Sequence, residues 1–201
     1  LPAGLWPQLA TLARTFPKKG RWRYEAKFDG YRLLARVEKG KVRLFTRKGN
    51  DWTAKLKPLA ASVRSLGLGS AWLDGEIVVL NENATPDFNA LQNSFDANRT
   101  GDIVYFLFDL PYYEGHDLRR VPLAQRRALL EQICEAHPDE RLRFSADFDA
   151  DPAEILRSAC ERKLEGVIAK RVDAPYVSQR TETWLKLKCS ERQEFVIVGF
   201  T

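Results

Sequence analysis

The stretch Tyr24–Arg32, which reads YEAKFDGYR, places charged side chains at alternate positions ahead of a glycine. Successive side chains of an extended strand point to opposite faces, so Glu25, Lys27 and Asp29 would share one face. A lysine flanked by carboxylates fits a site that binds a phosphoryl group. Lysine is a nucleophile only as the neutral amine, a form that burial or nearby cations favour by lowering its pKa. Taken alone, the stretch also fits an edge strand with a solvated face.

Composition describes a folded and basic chain. The 201 residues are 44% hydrophobic and 11% aromatic, which excludes a disordered chain. The charged fraction of 29% and apolar runs too short to span a bilayer exclude a membrane protein. Lys and Arg number 32 against 27 Asp and Glu, and the net charge of +5 suits a polyanionic partner or an ordinary solvated surface. The chain has no methionine and no signal peptide, so we expect a piece excised or processed from something longer.

Paired strands interrupted by single helices predict an α+β domain with mostly antiparallel sheets. Apolar segments bounded by turn residues predict strands at 22–28, 41–46, 71–80, 103–110, 166–170, 184–188 and 195–199. Prolines at the first helical position predict helices at 58–66, 122–136 and 152–164. Asp151 and Glu154 form a capping-box pattern before the last helix. Residues 1–20, rich in proline and glycine, are predicted to be an extended lead-in.

The cysteines do not indicate a cross-linked or zinc-bound fold. Cys134, Cys160 and Cys189 contain no C-x-x-C pair and are odd in number, and the two histidines share no ligand spacing with them. We therefore expect neither a zinc site nor a disulfide framework, and we expect a reducing compartment.

Further sequence motifs follow the first in a fixed order, and together they resemble the motifs of a known superfamily. Residues 25–32 match E-x-K-x-D-G-x-R, and the later matches are D-G-E at 74–76, F-D at 108–109, E-G-V at 165–167 and R-[S/T]-x-x-W-x-K-x-K at 180–188. The set resembles the covalent nucleotidyltransferase superfamily of ATP-dependent DNA ligases and mRNA capping enzymes. With residues 7–10 and 87–92, it is most similar to the ligase module of bacterial end-joining ligases.

The resemblance implies a nucleotidyltransferase fold, the ATP-grasp-like adenylation fold of DNA ligases, with mostly antiparallel sheets flanked by helices. It also implies that Lys27 attacks the α-phosphorus of ATP and carries AMP as a phosphoramidate. Glu25 and Phe108 would hold adenine, the latter by stacking. Lys186 and Lys188 would contact the α-phosphate, since alternate strand positions lie about 7 Å apart on one face.

The remaining assignments concern the ribose, the DNA end and the metal. By resemblance, Arg32, Arg47 and Glu76 would hold the ribose or the DNA end. Glu165, with Glu76 as a second candidate, would hold Mg²⁺ or Mn²⁺, because hard cations bind through one or two carboxylates plus substrate phosphates. Each segment alone has another interpretation: 42–50 as a basic hairpin tip, 72–80 as any hairpin, and 103–110 as a covered central strand.

We expect residues 1–193 to form the adenylation domain and 194–201 to be the first strand of a truncated OB-fold domain. The expected partners are nicked or broken duplex DNA, attached polymerase or end-processing modules, and an end-binding protein, with no membrane. The expected location is the bacterial cytoplasm, in association with the nucleoid. Two alternatives stay open, namely an RNA ligase or capping guanylyltransferase, and a non-enzymatic basic module that binds nucleic acid.

Overall fold

Two β-sheets and their covering helices make up the part of the chain that the structure, a computed structural model, describes, which is residues 1–97 and 99–189. The strands are β1 (Leu9–Leu12), β2 (Trp22–Ala26), β3 (Tyr31–Glu38), β4 (Lys41–Thr46), β5 (Ser70–Val79), β6 (Ile103–Tyr113), β7 (His116–Asp117), β8 (Leu142–Phe144), β9 (Asp147–Phe148), β10 (Gly166–Arg171) and β11 (Arg180–Lys188). The helices are α1 (Lys57–Ser65), α2 (Phe88–Asp96), α3 (Leu123–Ala136) and α4 (Pro152–Glu161).

The first sheet has the strand order β1-β11-β10-β2-β9, and the second has the order β4-β3-β5-β6-β7 with β8 added beside β6. Among these pairs only β1 with β11 and β6 with β8 run parallel. The expected α+β class with mostly antiparallel sheets is confirmed. The order also shows why distant segments meet, because β2 pairs with β10 and β10 with β11, which brings residues near 26, 166 and 187 into one sheet.

Apolar side chains from each sheet are covered by different helices. The larger core joins the second sheet to α1 and α3 and contains fully buried residues such as Leu33, Leu59 and Tyr105. A smaller core joins the first sheet to α4 and contains Ile155 and Val167. Two smaller clusters complete the packing, and one of them joins Phe108 of β6 to Trp184 of β11, so that the two sheets are in contact.

The first predicted strand ends earlier than its sequence suggests. We predicted a strand over 22–28, but β2 ends at Ala26, and Lys27 begins a loop that turns at Gly30 into β3. A Cβ atom at Gly30 would overlap the carbonyl oxygen of Ile77 in β5. The loop that carries Lys27 therefore runs directly against the second sheet, which is possible only with glycine there.

Six elements of the described part of the chain were not predicted, namely β1 in the expected lead-in, β3, α2 and the short strands β7, β8 and β9. The sequence of β3 is rich in residues that also favour helices, and its strand form depends on pairing with β4 and β5. The start of α2 carried a usable signal, since the Asp87 side chain accepts a hydrogen bond from the Ala90 N–H at 2.9 Å.

The three predicted helices are found, α1 and α3 with starts shifted by one residue and α4 with its predicted start but an end at Glu161 instead of 164. Asp151 caps α4 as predicted, accepting from the N–H groups of Ala153 and Glu154, and Pro152 is its first residue. Pro122 is the N-cap of α3, and Pro58 is the second residue of α1, so only α4 has proline at the first helical position. The predicted strand at 195–199 and the domain boundary at 193 lie outside the described residues.

The expectation of no disulfide was wrong. Cys160 at the end of α4 and Cys189 just after β11 are joined, with their Cα atoms 5.4 Å apart. Their separation of 29 residues gave no signal, because only the pairing of β10 with β11 brings the two segments together. Cys134 is a free thiol whose pKa burial raises to about 11.

Among the described helices, none combines the length and the apolar character that a membrane crossing would require.

Candidate active site

A cavity of about 1160 Å³ opens where strand ends of the two sheets face each other. Seven of the residues selected from the sequence line it, namely Glu25, Lys27, Arg32, Arg47, Glu76, Phe108 and Lys186. The other two, Glu165 and Lys188, lie outside the lining but connect to it through ion pairs with Lys27 and with each other. Residues that are up to 163 positions apart in the chain, Glu25 and Lys188, are thus gathered at one place.

Lys27 is held by a carboxylate that also holds a second lysine. Its Nζ donates to Oε2 of Glu165, and Lys188 Nζ lies 2.9 Å from Oε1 of the same group. The Lys27 side chain is 17% exposed and that of Glu165 is 25% exposed, so the pair is sheltered but reachable from the cavity. Burial acts to raise the pKa of Glu165, but hydrogen bonds from both lysines hold it below its usual value. We call Lys27, Glu165 and Lys188 the open cluster.

The main chain sets the position of this cluster. The Lys27 N–H donates to the carbonyl oxygen of Gly166 at 3.0 Å, and the Cys189 N–H donates to that of Glu165 at 3.1 Å. Lys27 and Glu165 therefore lie on adjacent strand ends, where β2 and β10 pair. The structure leaves Lys27 sheltered and beside a carboxylate, as the nucleophile assignment requires.

Glu25 lies deeper, in a second cluster of charges that is fully buried. Nζ of Lys170 and a guanidinium nitrogen of Arg127 each lie 2.9 Å from Oε1 of Glu25, and Ser145 Oγ donates to Oε2 at 3.1 Å. Burial lowers the pKa of Lys170 to about 8, although the charge of Glu25 opposes this. We call Glu25, Lys170 and Arg127 the buried cluster. The contact of Glu25 with adenine stays a prediction.

Two aromatic rings form one wall of the cavity. The rings of Phe108 and Trp184 meet edge to face at 5.9 Å, and Lys170 Nζ lies 4.1 Å and 4.2 Å from their centroids. The Arg32 guanidinium lies 4.5 Å from the centre of the Phe108 ring. Phe108 thus lies in the cavity wall as expected, and its stacking on adenine stays a prediction.

Lys170 and Trp184 also line this wall and were not selected from the sequence. Trp184 is a fixed position of the R-[S/T]-x-x-W-x-K-x-K match, and Lys170 ends the run GVIAK in β10. An ionisable residue at the end of an apolar strand was the available signal, because such a residue is rarely buried without a partner.

Arg32 forms a bidentate ion pair with Asp74. Its Nε and one terminal nitrogen donate to the two carboxylate oxygens of Asp74, each at 2.6 Å, and the Tyr176 hydroxyl donates to the same carboxylate at 2.7 Å. Burial acts to lower the pKa of Arg32, but Asp74 raises it above its usual value. The guanidinium therefore faces the cavity as a fixed cation. Its contact with ribose or with a DNA end stays a prediction.

Glu76 is the second carboxylate that faces the open cluster. Burial raises its pKa to about 7, the charge of Glu165 acts in the same direction, and the charges of Arg32 and Lys27 act against it. No group of three acidic, histidine or cysteine side chains that could hold a metal occurs in the described part of the chain. Two carboxylates beside a cavity do suit Mg²⁺ or Mn²⁺, which take their other ligands from phosphate and water.

Four more basic residues line the cavity, namely Arg47, Lys48, Arg180 and Lys186. Arg47 and Lys48 are exposed on the turn after β4, at its rim. Lys186 on β11 lies opposite Ile168 of β10, and burial, followed by the charges of Arg180 and Lys188, lowers its pKa. A strip of positive charge thus runs from the rim toward Lys27, as an anionic ligand would require.

Known proteins match this chain over its whole length. Residues 7–188 match the family described as ATP dependent DNA ligase domain. The multifunctional non-homologous end joining protein LigD of Pseudomonas aeruginosa is 53% identical over 201 residues, which are all of this chain and 24% of that protein. The Mycobacterium tuberculosis LigD is 38% identical over 200 residues, 98% of this chain and 25% of that protein. The chain thus spans about a quarter of the length of these curated relatives.

The fold agrees with these matches. A solved mycobacterial DNA ligase D complexed with ATP and MES superposes with a TM-score of 0.81 at 35% identity, covering 92% of this chain and 60% of that one. The nucleotidyltransferase fold and the enzyme class inferred from the motifs are therefore confirmed at the level of the family. This chain belongs to the ATP-dependent DNA ligase family and has the fold of a LigD ligase domain.

Proposed function

We propose that this chain adenylylates itself on Lys27 and passes the AMP to a DNA 5′-phosphate. The observation that carries the proposal is the open cluster, in which the Lys27 amine is sheltered, held by Glu165 and bordered by the cationic strip of the cavity. Nζ of Lys27, once it has released its proton, attacks the α-phosphorus of ATP. The N–P bond forms as the bond from that phosphorus to pyrophosphate breaks, and the 5′-phosphate oxygen then displaces Lys27 to take the AMP.

The cations of the site balance the charge that gathers on the phosphoryl oxygens. Lys186 and Lys188 fit the α-phosphate, since both lie on β11, where Lys188 pairs with the same carboxylate as Lys27. Arg32 supplies a fixed positive charge near Phe108. Glu165, with Glu76, would hold Mg²⁺ or Mn²⁺, and such an ion, when bound, neutralises phosphoryl oxygens. Glu165 also holds the Lys27 amine in place at the edge of the cavity.

Adenine fits against the aromatic wall. Phe108 offers a ring for stacking. Glu25 and Lys170 lie at the same wall, where the Glu25 carboxylate would accept a hydrogen bond from an edge of the base and the Lys170 amine would donate one. Arg47 and Glu76 fit the ribose hydroxyls or the DNA end, because a carboxylate accepts from a diol and a guanidinium binds phosphate.

The wider setting belongs to the same proposal. Residues 1–193 act as the adenylation domain, and 194–201 begin an OB-fold domain of a longer protein that joins nicked or broken duplex DNA. The relatives are named multifunctional end-joining proteins. That kinship supports the proposal of attached polymerase or end-processing modules, an end-binding partner and a nucleoid location in the bacterial cytoplasm.

The test is labelling of the chain with α-labelled ATP and Mg²⁺. We expect a covalent adduct that adds ~329 Da to the intact mass, as covalent catalysis leaves behind. Lys27→Ala should abolish it, and Lys18→Ala, which removes an exposed lysine outside the cavity, should not. Undiminished labelling of Lys27→Ala would overturn the assignment.

The same assay separates the alternatives. A capping guanylyltransferase would take GTP rather than ATP as donor, and an RNA ligase would transfer the AMP to an RNA end in place of DNA. A non-enzymatic module would bind DNA in a salt-sensitive way and would form no adduct with either nucleotide.

A further inference from the structure

Trp6 is unusual among the tryptophans of this chain because most of its side chain faces solvent. It is 61% exposed, whereas Trp72 and Trp184 are buried and Trp22 and Trp52 are half-buried. A single exposed apolar residue is common on protein surfaces and by itself calls for no explanation. The position of Trp6 is therefore what matters.

The segment around Trp6 is firmly attached on both sides. The Pro2 carbonyl oxygen accepts a hydrogen bond from Trp72 Nε1 at 3.1 Å, and Leu5 packs against buried residues. Pro7 and Gln8 are buried directly after it, and the Gln8 side chain accepts from the Val177 N–H at 2.9 Å. The indole is thus held out of the core by an ordered backbone, and its exposure is not that of a loose chain end.

Trp6 stands at the mouth of the cavity that contains Lys27. The far edge of its ring lies 3.8 Å from the position of a Cβ on Gly49, in the turn after β4. Arg47 and Lys48, on the same turn, are exposed and line the same opening. An aromatic face beside cations is the combination that binds single nucleotides of a nucleic-acid strand, by base stacking and phosphate contact.

We propose that Trp6 stacks on the terminal base of the DNA strand that carries the 5′-phosphate, while Arg47 and Lys48 contact the backbone of that strand. The inference rests on the proposed function, because AMP in the cavity is transferred to this phosphate and the nucleotide that bears it then lies at the mouth. The cavity volume supports it, since about 1160 Å³ exceeds the roughly 300–1,000 Å³ usual for a small-molecule pocket. Trp6 is in this account a positioning residue for the transfer step.

The test measures binding of the 201-residue chain to a nicked duplex with 2-aminopurine as the terminal base on the 5′-phosphate side. Stacking on an indole quenches this base, so we expect quenching with the unaltered chain and its loss with Trp6→Ala. Trp6→Ala should weaken binding by roughly 5- to 150-fold, as measured for the loss of base stacking, with the slope of affinity against salt unchanged. Trp6→Phe should recover most of the affinity, and Lys48→Ala should lower the salt slope by about one.

Phe148→Ala is the matched control, because it removes another exposed aromatic ring, 44% exposed, that does not line the cavity. It should bind DNA as the unaltered chain does. Self-adenylylation is measured in parallel, and the loss of DNA affinity in Trp6→Ala should exceed any loss of adduct. The DNA-binding measurement does not require the adduct. Absence of labelling in the unaltered chain would therefore overturn the proposed function, while the DNA affinities of the unaltered chain and Trp6→Ala would still test the role of Trp6.

Three results would overturn the inference. The first is equal DNA affinity for Trp6→Ala and the unaltered chain. The second is quenching of a probe on the 3′-hydroxyl side of the nick and not on the 5′-phosphate side. The third is a dimer of the chain that Trp6→Ala dissolves, since the ring would then cover a second copy.

Discussion

Two carboxylates of this chain each lie between two basic side chains, and their surroundings differ. In the buried cluster, Glu25 lies between Lys170 and Arg127 with all three side chains nearly without solvent contact. In the open cluster, Glu165 lies between Lys27 and a Lys188 that is 50% exposed. The same combination of charges therefore occurs once inside the protein and once at the edge of a cavity.

Burial decides what each cluster can do. A buried charge that loses its partner remains desolvated without a compensating attraction, which is unfavourable. The buried cluster therefore stays paired and holds the cavity wall in place. A partly solvated pair is worth little to stability and exchanges partners easily. The open cluster can therefore exchange its internal pairing for an incoming charged group, and this difference is why the proposed function places the reaction on Lys27 and not on Lys170.

The largest expected effect comes from breaking the buried cluster. Glu25→Ala leaves Lys170 and Arg127 buried without their carboxylate, and it should lower the free energy of unfolding by about 3–5 kcal/mol, measured by urea unfolding. The control is Asp173→Ala, which removes an exposed ion pair with Arg171 and should leave the unfolding curve nearly unchanged. Similar unfolding curves for the two variants would show that burial does not make the Glu25 ion pairs more important for stability than an exposed pair.

The disulfide gives a second expected effect, because it joins α4 to the residue that follows Lys188. Reduction should lower the free energy of unfolding by about 2–4 kcal/mol, as for a cross-link that closes a loop of this size. Cys160→Ser should remove the response to reductant, and Cys134→Ser, which alters the free thiol, should keep it. Identical unfolding curves with and without reductant would contradict the cross-link.

The third expected effect is a dependence of the free energy of unfolding on pH, which arises from Lys170 of the buried cluster. Burial lowers the pKa of Lys170 to about 8 in the folded chain from its usual value of 10.5, so between these values the unfolded chain binds more protons. Stability due to Lys170 should then rise with pH from about 8 to 10.5, by at most about 1.4 kcal/mol per unit. The measurement compares urea unfolding of the unaltered chain with that of Lys170→Met across this range, and parallel pH curves would refute it.

The smallest expected effect on stability comes from breaking the open cluster. Glu165→Ala should lower the free energy of unfolding by at most about 1 kcal/mol, because its partners reach solvent or the cavity. The same change should abolish formation of the adduct on Lys27. A loss of stability as large as that of Glu25→Ala would erase the distinction between the two clusters.

Prediction from sequence succeeded where chemistry is carried by neighbouring residues in the chain. Lys27, Phe108 and Lys186 were selected from short segments, and the structure places all of them at one cavity. It failed where a residue's surroundings come from distant segments. The strand β3 takes its form from its partners, and Lys170 acquires its role from Glu25 across the sheet and from Arg127 of α3.

The amino-acid sequence by itself was sufficient to identify the family and the α+β class and to predict Lys27 as the reactive lysine, because these inferences depend on residue types at fixed short spacings. Only the tertiary structure decided which charges are buried, that Lys27 lies in a loop beside Glu165, and that Cys160 meets Cys189. The physical reason is that desolvation and pairing depend on three-dimensional distance, and strand order brings together residues that are far apart in the chain.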